Sequence, residues 1–188
     1  LLAILTFGME TTFFRFSQKE DSRKVFNNAE TLVLLISTVF LLFYCFFYKS
    51  FAELIHYEFN THYVLLLGII VAVDAAAAIP FAMLRKENKA GRFSLIKTIN
   101  VLTNIFFNIL FLVIIPEKSM MIAEHIFGQQ TSLLIWVFVS NILASVLNLI
   151  LLAPQLSTLK ISLNKELIIP MLRYSFPILL ISLVGMIN

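Results

Sequence analysis

Hydrophobic residues in this sequence form long, nearly uninterrupted runs, and short stretches rich in charged residues separate them. Four runs approach or meet the roughly 20 residues that a helix needs to cross the hydrocarbon core of a bilayer. These runs are residues 31–48, 63–84, 95–115 and 133–153. They are apolar on every side and do not alternate with a period of two, so the pattern predicts helices and not strands.

Two shorter apolar runs lie at the ends of the sequence, at residues 1–14 and 168–188. The first opens as LLAILTFG without an initiator Met and lacks the basic flank of a signal peptide, and the second still continues at Asn188. We therefore expect an internal piece of a longer protein. The expected fold is all-α, a polytopic transmembrane helix bundle of about six spans, four of them complete.

The composition agrees with this pattern, because 60% of the residues are hydrophobic and only 13% are charged. Soluble globular domains contain about 25% charged residues. The formal net charge of +3 is typical of a membrane protein whose basic loops fix its orientation, so no nucleic-acid partner is expected. The expected environment is the lipid bilayer.

The basic residues are distributed unevenly between the loops. Of the 14 Lys and Arg residues, twelve fall in three segments. These segments are 15–30, 85–97 and 154–173. The intervening segments 49–62 and 116–131 contain only Lys49 and Lys118. Because cytoplasmic loops carry the excess of Lys and Arg, the first three segments are predicted to be cytoplasmic, and the strict alternation supports the number of spans.

Nothing in the loops predicts an enzyme, because they are too short for a folded domain and contain no phosphate-binding loop or nucleophile elbow. His56, His62 and His125 all fall in outer segments without the i, i+4 pairing that would favour a metal site. They are interpreted as interfacial residues, and no metal is expected. Residues 117–130 mix apolar and polar side chains, which predicts an amphipathic helix along the membrane surface.

Asp74 is the most informative residue inside a predicted span. It lies ten residues before Leu84, or about 15 Å along a helix, which is close to the bilayer midplane. The alanines at 75–78 permit close helix packing, and Pro80 favours a bend just beyond the acid. One interpretation is that Asp74 lines a polar cavity. The alternative is a structural role, with the carboxylate held by a hydroxyl or amide of a neighbouring helix.

Polar residues also recur at helical spacing on the two spans that follow. The first stripe is Lys97, Asn100, Asn104 and Asn108, and the second is Asn141, Ser145 and Asn148. Spacings of three and four place each stripe on one face of its helix. The stripes are interpreted either as a shared lining or as interhelical amide contacts, which contribute about 0.6 kcal/mol each in membranes.

The expected depths of these residues favour a carrier over a channel. Asn108, Asp74 and Asn141 fall near mid-depth, and almost no polar residue falls in the outer half. Those on the cytoplasmic side are Glu10, Asn100, Asn104 and Asn148. This asymmetry predicts a cavity open to the cytoplasm, whereas the polar lining of a channel would extend through the whole depth.

Three stretches are similar to bacterial polysaccharide-export flippases. They are GMETTFFRF at 8–16, IPFAMLRKENKAGRF at 79–93 and MLRYSFPILLISLVGMIN at 171–188. The resemblance extends along the whole chain and implies the superfamily that also contains multidrug and toxic compound extrusion transporters and the peptidoglycan lipid flippase. Those transporters have two pseudo-symmetric lobes.

The resemblance implies a domain organisation in which the chain supplies one lobe of the larger two-lobed transporter. Residues 1–153 would form the N-terminal transmembrane lobe without its first helix, and 154–170 the cytoplasmic link between the lobes. Residues 171–188 would begin the C-terminal lobe.

The implied function is the flipping of undecaprenyl-linked oligosaccharide across the bacterial cytoplasmic membrane by alternating access, in polysaccharide or lipopolysaccharide biosynthesis. The asparagines would bind sugar hydroxyls, Arg15 or Lys97 would meet the pyrophosphate, and Asp74 or Glu10 would couple a cation or proton. Glu10 and Arg15 match positions in the second helix of the family. The polysaccharide-synthesis machinery is an expected partner, and no other cofactor is expected.

Two alternatives stay open. A cation-coupled multidrug exporter of the same superfamily would favour an aromatic, acid-lined pocket, against which the number of amides argues. A non-transporting scaffold of a polysaccharide-synthesis complex would tolerate loss of the asparagine stripes at a cost in stability alone.

Overall fold

The computed structural model describes residues 2–54, 61–128 and 132–187, and within these ranges the chain is mainly helical and contains no strand. The predicted all-α bundle is therefore confirmed. Its helices are α1 (Leu2–Thr6), α2 (Met9–Phe16), α3 (Ser22–Leu54), α4 (Thr61–Lys86), α5 (Ala90–Ile109), α6 (Pro116–Phe127), α7 (Ile135–Leu151), α8 (Ala153–Leu156) and α9 (Lys165–Ile187).

Four helices in the parts described are long and apolar enough to cross a membrane: α3, α4, α9, and α5 together with its π-helical continuation Leu110–Ile114. The predicted spans 31–48, 63–84 and 95–115 are among them. The predicted span 133–153 forms the shorter helix α7, whose 17 residues extend for about 26 Å. Pro154 follows it and lacks the backbone N–H that would continue the helix.

The single helix predicted for residues 1–14 is instead broken into α1 and α2. Phe7 and Gly8 at the break have positive φ values of 50° and 66°, a conformation that glycine adopts readily. Gly8 also packs closely against α9, because a Cβ atom there would lie 3.1 Å from Ile178 Cγ2 and 3.2 Å from the Ser175 carbonyl oxygen. The break therefore allows the close contact between the first and last spanning segments.

The basic segments are more helical than expected. In the segment 15–30, α2 ends at Phe16 and α3 begins at Ser22. Most of the residues predicted to be loop there belong to helices. A short turn likewise joins α4 to α5, with Asn88 at φ 56°, a backbone conformation that asparagine tolerates better than most residues. The basic side chains therefore lie mainly on helix ends.

The main apolar core lies between α3 and α4 and extends to α1, α2 and α9. Its buried members on α4 are Ala72, Ala75, Ile79, Ala82 and Met83. Further along the same pair of helices, the Tyr44 ring lies against Gly68 where a Cβ atom would stand, and the Tyr44 hydroxyl donates to the Val64 carbonyl at 2.8 Å. Small residues on α4 thus let α3 approach closely.

The stretch 157–164 packs along the first turns of α3, and we call it the strap. Three of its backbone N–H groups donate to oxygen atoms of α3 side chains. They are Lys160 to Asn27 at 3.2 Å, Ser162 to Thr31 at 3.3 Å and Asn164 to Asn28 at 2.6 Å. The Asn164 side chain accepts from Glu166 N at 3.0 Å, which caps α9. Residues 165–170 of the predicted link 154–170 already belong to α9, and the division into lobes stays a prediction.

These contacts bring the basic segments to one end of the bundle, which we call the basic end. Arg23 donates to Thr158 Oγ1 at 2.7 Å, and Arg92 donates to the Leu151 carbonyl at 3.3 Å. At the opposite end, the Tyr63 hydroxyl and Ser132 Oγ are hydrogen-bonded at 2.9 Å. The bundle thus has one end rich in cations and an opposite end where Tyr63 also stacks on Phe138, with ring centroids 5.4 Å apart.

Candidate functional site

A cavity of about 300 Å³ lies between α4, α5 and α7 and reaches α1 and α2. Seven of the ten candidate residues from the sequence line it: Glu10, Asp74, Lys97, Asn100, Asn141, Ser145 and Asn148. The remaining lining residues are Leu2, Ala77, Ala78, Phe81, Arg85 and Phe93. The structure thus brings most of the predicted polar residues together, and their contact with a substrate stays a prediction.

Helical periodicity explains why the polar residues converge. On α4, Asp74, Ala78, Phe81 and Arg85 follow one another at spacings of four, three and four, so they share a face. The first half of the α5 stripe and the whole α7 stripe face this surface from the other side. Because Ala77 and Ala78 carry only a methyl group each, they leave the space beside Asp74 that larger side chains would fill.

Asp74 is half-buried, and its Oδ1 accepts a hydrogen bond from the Ser145 hydroxyl at 2.6 Å. Both interpretations of Asp74 from the sequence agree with this geometry. Its carboxylate is held by a hydroxyl of a neighbouring helix, and it also lines the cavity. Since a hydroxyl donates one proton and a carboxylate has about four acceptor sites, Asp74 keeps the capacity to bind a ligand.

The charges in the cavity are arranged unevenly. Arg85 Nη2 forms an ion pair with Glu10 Oε2 at 2.7 Å, and both side chains are partly exposed. Lys97 Nζ lies 4.1 Å from the centre of the Phe81 ring, which is a favourable cation–π distance. In the stretches that the structure describes, Lys97 forms no ion pair with a carboxylate. Lys97 is therefore available to an anionic ligand.

Arg85 lines the cavity but is not among the residues predicted from the sequence, where its charge indicates only the orientation of the chain. Its position eleven residues after Asp74 on α4 was the signal, since this spacing returns to the same face after about three turns. Asn148 is buried, and its Oδ1 atom has no hydrogen-bond partner within the described stretches. The cavity thus combines cations with an unused amide acceptor.

Asn104 and Asn108 do not line the cavity, although they belong to the same stripe. The Asn108 amide donates to the Asn104 carbonyl at 2.9 Å and to Asn104 Oδ1 at 2.6 Å, so these two amides pair along their own helix. Asn108 lies two turns beyond Asn100, toward the end where Phe111 packs on Trp136 with ring centroids 4.3 Å apart. Asn108 therefore lies outside the cavity, and its depth relative to Asp74 stays a prediction.

Arg15 also lies apart from the cavity. It is five residues after Glu10 on α2, and residues five apart point to different sides of a helix. The Arg15 guanidinium carbon lies 4.1 Å from the centre of the Tyr174 ring on α9. Arg15 and Lys97, the two residues expected to meet the pyrophosphate, therefore lie in different places, and of the two only Lys97 lines the cavity.

Glu30 is the main residue that the sequence prediction missed. It was assigned to the charged segment 15–30, but it lies within α3 and is fully buried at 0% exposure. Neither carboxylate oxygen has a hydrogen-bond partner in the ranges described. The available signal was the spacing of Phe26, Glu30, Val33 and Ser37 at four, three and four, which places Glu30 on the buried face of α3.

The outer segment contains a helix as predicted, α6, which covers much of residues 117–130. His62 packs edge-on against Phe127 with ring centroids 5.5 Å apart, while His56 lies outside the described residues. Among the residues that were searched for metal-binding groups, none form a cluster of three or more His, Cys, Asp or Glu.

Comparisons of the chain with protein-family models, curated proteins and solved structures find no match. The chemistry of the cavity is therefore the main guide to function. It offers amides, a hydroxyl, two carboxylates and two cations to a ligand in a space bordered by Phe81 and Phe93. Such a set suits a ligand that carries many hydroxyl groups and a negative charge.

Proposed function

We propose that this chain is part of a transporter that flips an undecaprenyl-linked oligosaccharide across the bacterial cytoplasmic membrane. The observation that carries the proposal is the convergence of seven polar candidates on one cavity inside an apolar helix bundle. Polar groups within a membrane bundle are costly and usually serve a substrate or ion path. The resemblance of the sequence to polysaccharide-export flippases supports the same function.

The sugar headgroup would enter the cavity while the lipid tail stays in the bilayer. Asn100, Asn141 and Asn148 each provide an amide that both donates and accepts hydrogen bonds. Such groups match sugar hydroxyls, which also donate and accept. The unpartnered Oδ1 atom of Asn148 gives a ligand hydroxyl a favourable place to donate, because an unsatisfied buried acceptor is costly.

The diphosphate of the lipid carrier would lie near the basic end, which we propose faces the cytoplasm by the positive-inside rule. Lys97 is the cation best placed to bind it. Arg85 would join when the phosphate displaces the Glu10 carboxylate from their exposed ion pair, because a guanidinium binds either oxyanion through two parallel hydrogen bonds. Glu10 would then be released, which suits the proposed coupling of Glu10 or Asp74 to a cation or proton.

A cation-coupled drug exporter is the second candidate, because Asp74, Phe81 and Phe93 line one cavity. Acids and aromatic rings favour organic cations. Lys97 in the same space opposes them by charge repulsion, so the flippase is favoured.

The test is complementation. The transporter of which we propose this chain is a part should restore surface polysaccharide to a flippase-deficient bacterium. Asn100→Leu and Asp74→Asn should lower export on the order of tenfold or more, as expected for the loss of contacts worth about 1.4 kcal/mol or more. Asn108→Leu is the matched control on the same helix, because Asn108 lies outside the cavity, and it should export normally.

Three other outcomes would contradict this proposal. Normal export by all variants at unchanged membrane levels would favour the scaffold. Equal losses in Asn100→Leu and Asn108→Leu would point to helix packing in place of substrate binding. Resistance to cationic drugs without polysaccharide export would favour the exporter.

A further inference from the structure

A second cavity, of about 390 Å³, lies where the end of α2 meets the first turns of α9. Its lining residues are Arg15, Phe16, Ile169, Pro170, Arg173 and Tyr174, and we call it the arginine cleft. Two cations, two aromatic rings and two aliphatic side chains surround it, and no carboxylate is among them. Such a composition suits a ligand that has an anionic head and an apolar body.

The aromatic ring orients one of the two cations. The Arg15 guanidinium stacks on Tyr174 at 4.1 Å from the ring centre, and the Phe16 and Tyr174 ring centroids are 6.3 Å apart. Stacking covers one face of the guanidinium and leaves the N–H groups in its plane free to donate, which is the geometry that binds phosphate. Arg15 is therefore held in a conformation that suits an oxyanion.

Both arginines are available to a ligand. In the described parts of the chain, the two ion pairs involve Arg85 and Lys89. Neither Arg15 nor Arg173 is a donor in any side-chain hydrogen bond there, whereas Arg23, Arg85 and Arg92 all are. Two guanidinium groups that converge on one cleft without protein acceptors make it strongly cationic.

An exposed apolar surface leads away from the cleft along α9. Phe176, Leu180 and Val184 follow Arg173 at spacings of three, four and four, so they share its face. They are 52%, 47% and 65% exposed, and they belong to a helix that is long and apolar enough to cross a membrane. A soluble anion would gain nothing from this surface, whereas an acyl chain would cover it.

We propose that the arginine cleft binds the phosphate headgroup of an anionic glycerophospholipid from the leaflet at the basic end. Basic pockets between transmembrane helices are suited to such headgroups. The acyl chains would lie along the exposed face of α9, and the bound lipid would bridge α2 and α9. The inference does not depend on the flippase proposal, because it concerns a resident lipid and a surface separate from the central cavity.

Binding of phosphatidylglycerol and phosphatidylcholine to the purified chain, measured by native mass spectrometry in detergent, tests the proposal. Phosphatidylglycerol should bind more tightly than phosphatidylcholine. The double variant Arg15→Gln, Arg173→Gln should bind it roughly ten- to thirtyfold more weakly, from about 1 kcal/mol for each cation. The matched control Lys19→Gln, Lys86→Gln removes the same charge from the basic end outside the cleft and should bind normally.

The Tyr174→Leu variant keeps the test decisive even if the double variant fails to fold. It retains both charges but removes the ring that orients Arg15, so phosphatidylglycerol binding should fall severalfold. Equal affinity for the two lipids, or equal losses in the cleft and control variants, would overturn the proposal. Competition by inorganic phosphate at matched concentration would assign the cleft to a soluble anion and would also overturn it.

Discussion

Two faces of α4 show how one helix can serve both packing and a polar cavity. The face formed by Gly68, Ala72, Ala75 and Ile79 is closed against α3, whereas the face with Asp74 and its neighbouring alanines borders the cavity. Both faces contain small residues, so small size alone does not decide the outcome. The opposing helices decide it, because α3 supplies large apolar side chains and α5 and α7 supply amides and a hydroxyl.

The closed face should be the more sensitive to added volume. Gly68→Ala would place a methyl group where the Tyr44 ring lies, and this ring is fixed between Phe40 and Phe51 and by its hydrogen bond to Val64. We expect a loss of about 1–3 kcal/mol in the free energy of unfolding. Unfolding in mixed micelles, followed by fluorescence, measures it.

The same substitution at Gly91 is the control. A Cβ atom there meets nothing within 4 Å, and the residue lies in the helix α5, so Gly91→Ala should stabilise by about 0.4–1 kcal/mol. If Gly68→Ala did not lower the free energy of unfolding either, the contact between Gly68 and the Tyr44 ring would be looser than the structure shows. The closed face would then be no more sensitive to added volume than an exposed helix position.

Glu30 sharpens the comparison from the opposite direction, because it places a carboxyl group in the closed part of the bundle. Replacement by leucine removes two buried oxygens that have no partner in the described ranges and keeps a similar volume. We expect Glu30→Leu to raise the free energy of unfolding by about 1–2 kcal/mol. Glu30→Gln should give no such gain, because an amide there is equally unsatisfied. A less stable leucine variant would mean that Glu30 has an essential polar contact.

The smallest effect should come from the open face. Ser145→Ala removes the hydroxyl that donates to Asp74 at 2.6 Å. Interhelical hydrogen bonds in membranes contribute about 0.6 kcal/mol on average, and the cavity lets water replace the lost donor. We therefore expect a loss of unfolding free energy near that value in the same micelle assay. A loss of several kcal/mol would show that Asp74 has a mainly structural role.

Much of the fold could be predicted from the sequence, because the length of an apolar run and the placement of lysine and arginine are local properties. The break at Gly8 could not, since its reason is contact with Ile178 and Ser175 on a helix far along the chain. That residues 15–30 form the end of α2 and the start of α3 could not be predicted for a similar reason. Charge predicted a loop, but packing against the strap buries that part of α3.

The site was predictable where helical spacing and packing agree. The convergence of Asp74, Ser145 and Asn100 on one cavity could be predicted, because helical spacing places each of them on the polar face of its helix. Asn108 shares the periodicity of Asn100, yet it bonds to its own helix, and no spacing rule distinguishes these alternatives. Glu10 and Arg15 lie on different sides of α2. Which side borders the cavity depends on the helices packed around α2, so the sequence of α2 alone does not show it.

The strap has a mechanical consequence. Three of its N–H groups donate to side chains of α3, and its last residue caps α9. These eight residues therefore link α3 directly to the start of α9. Because the bonds to α3 are donated by the backbone, the side chains of Lys160 and Ser162 can vary while these bonds are preserved. A tilt of α3 away from α9 must therefore either move α9 with it or break these hydrogen bonds. The strap thus couples the motion of α3 to that of α9.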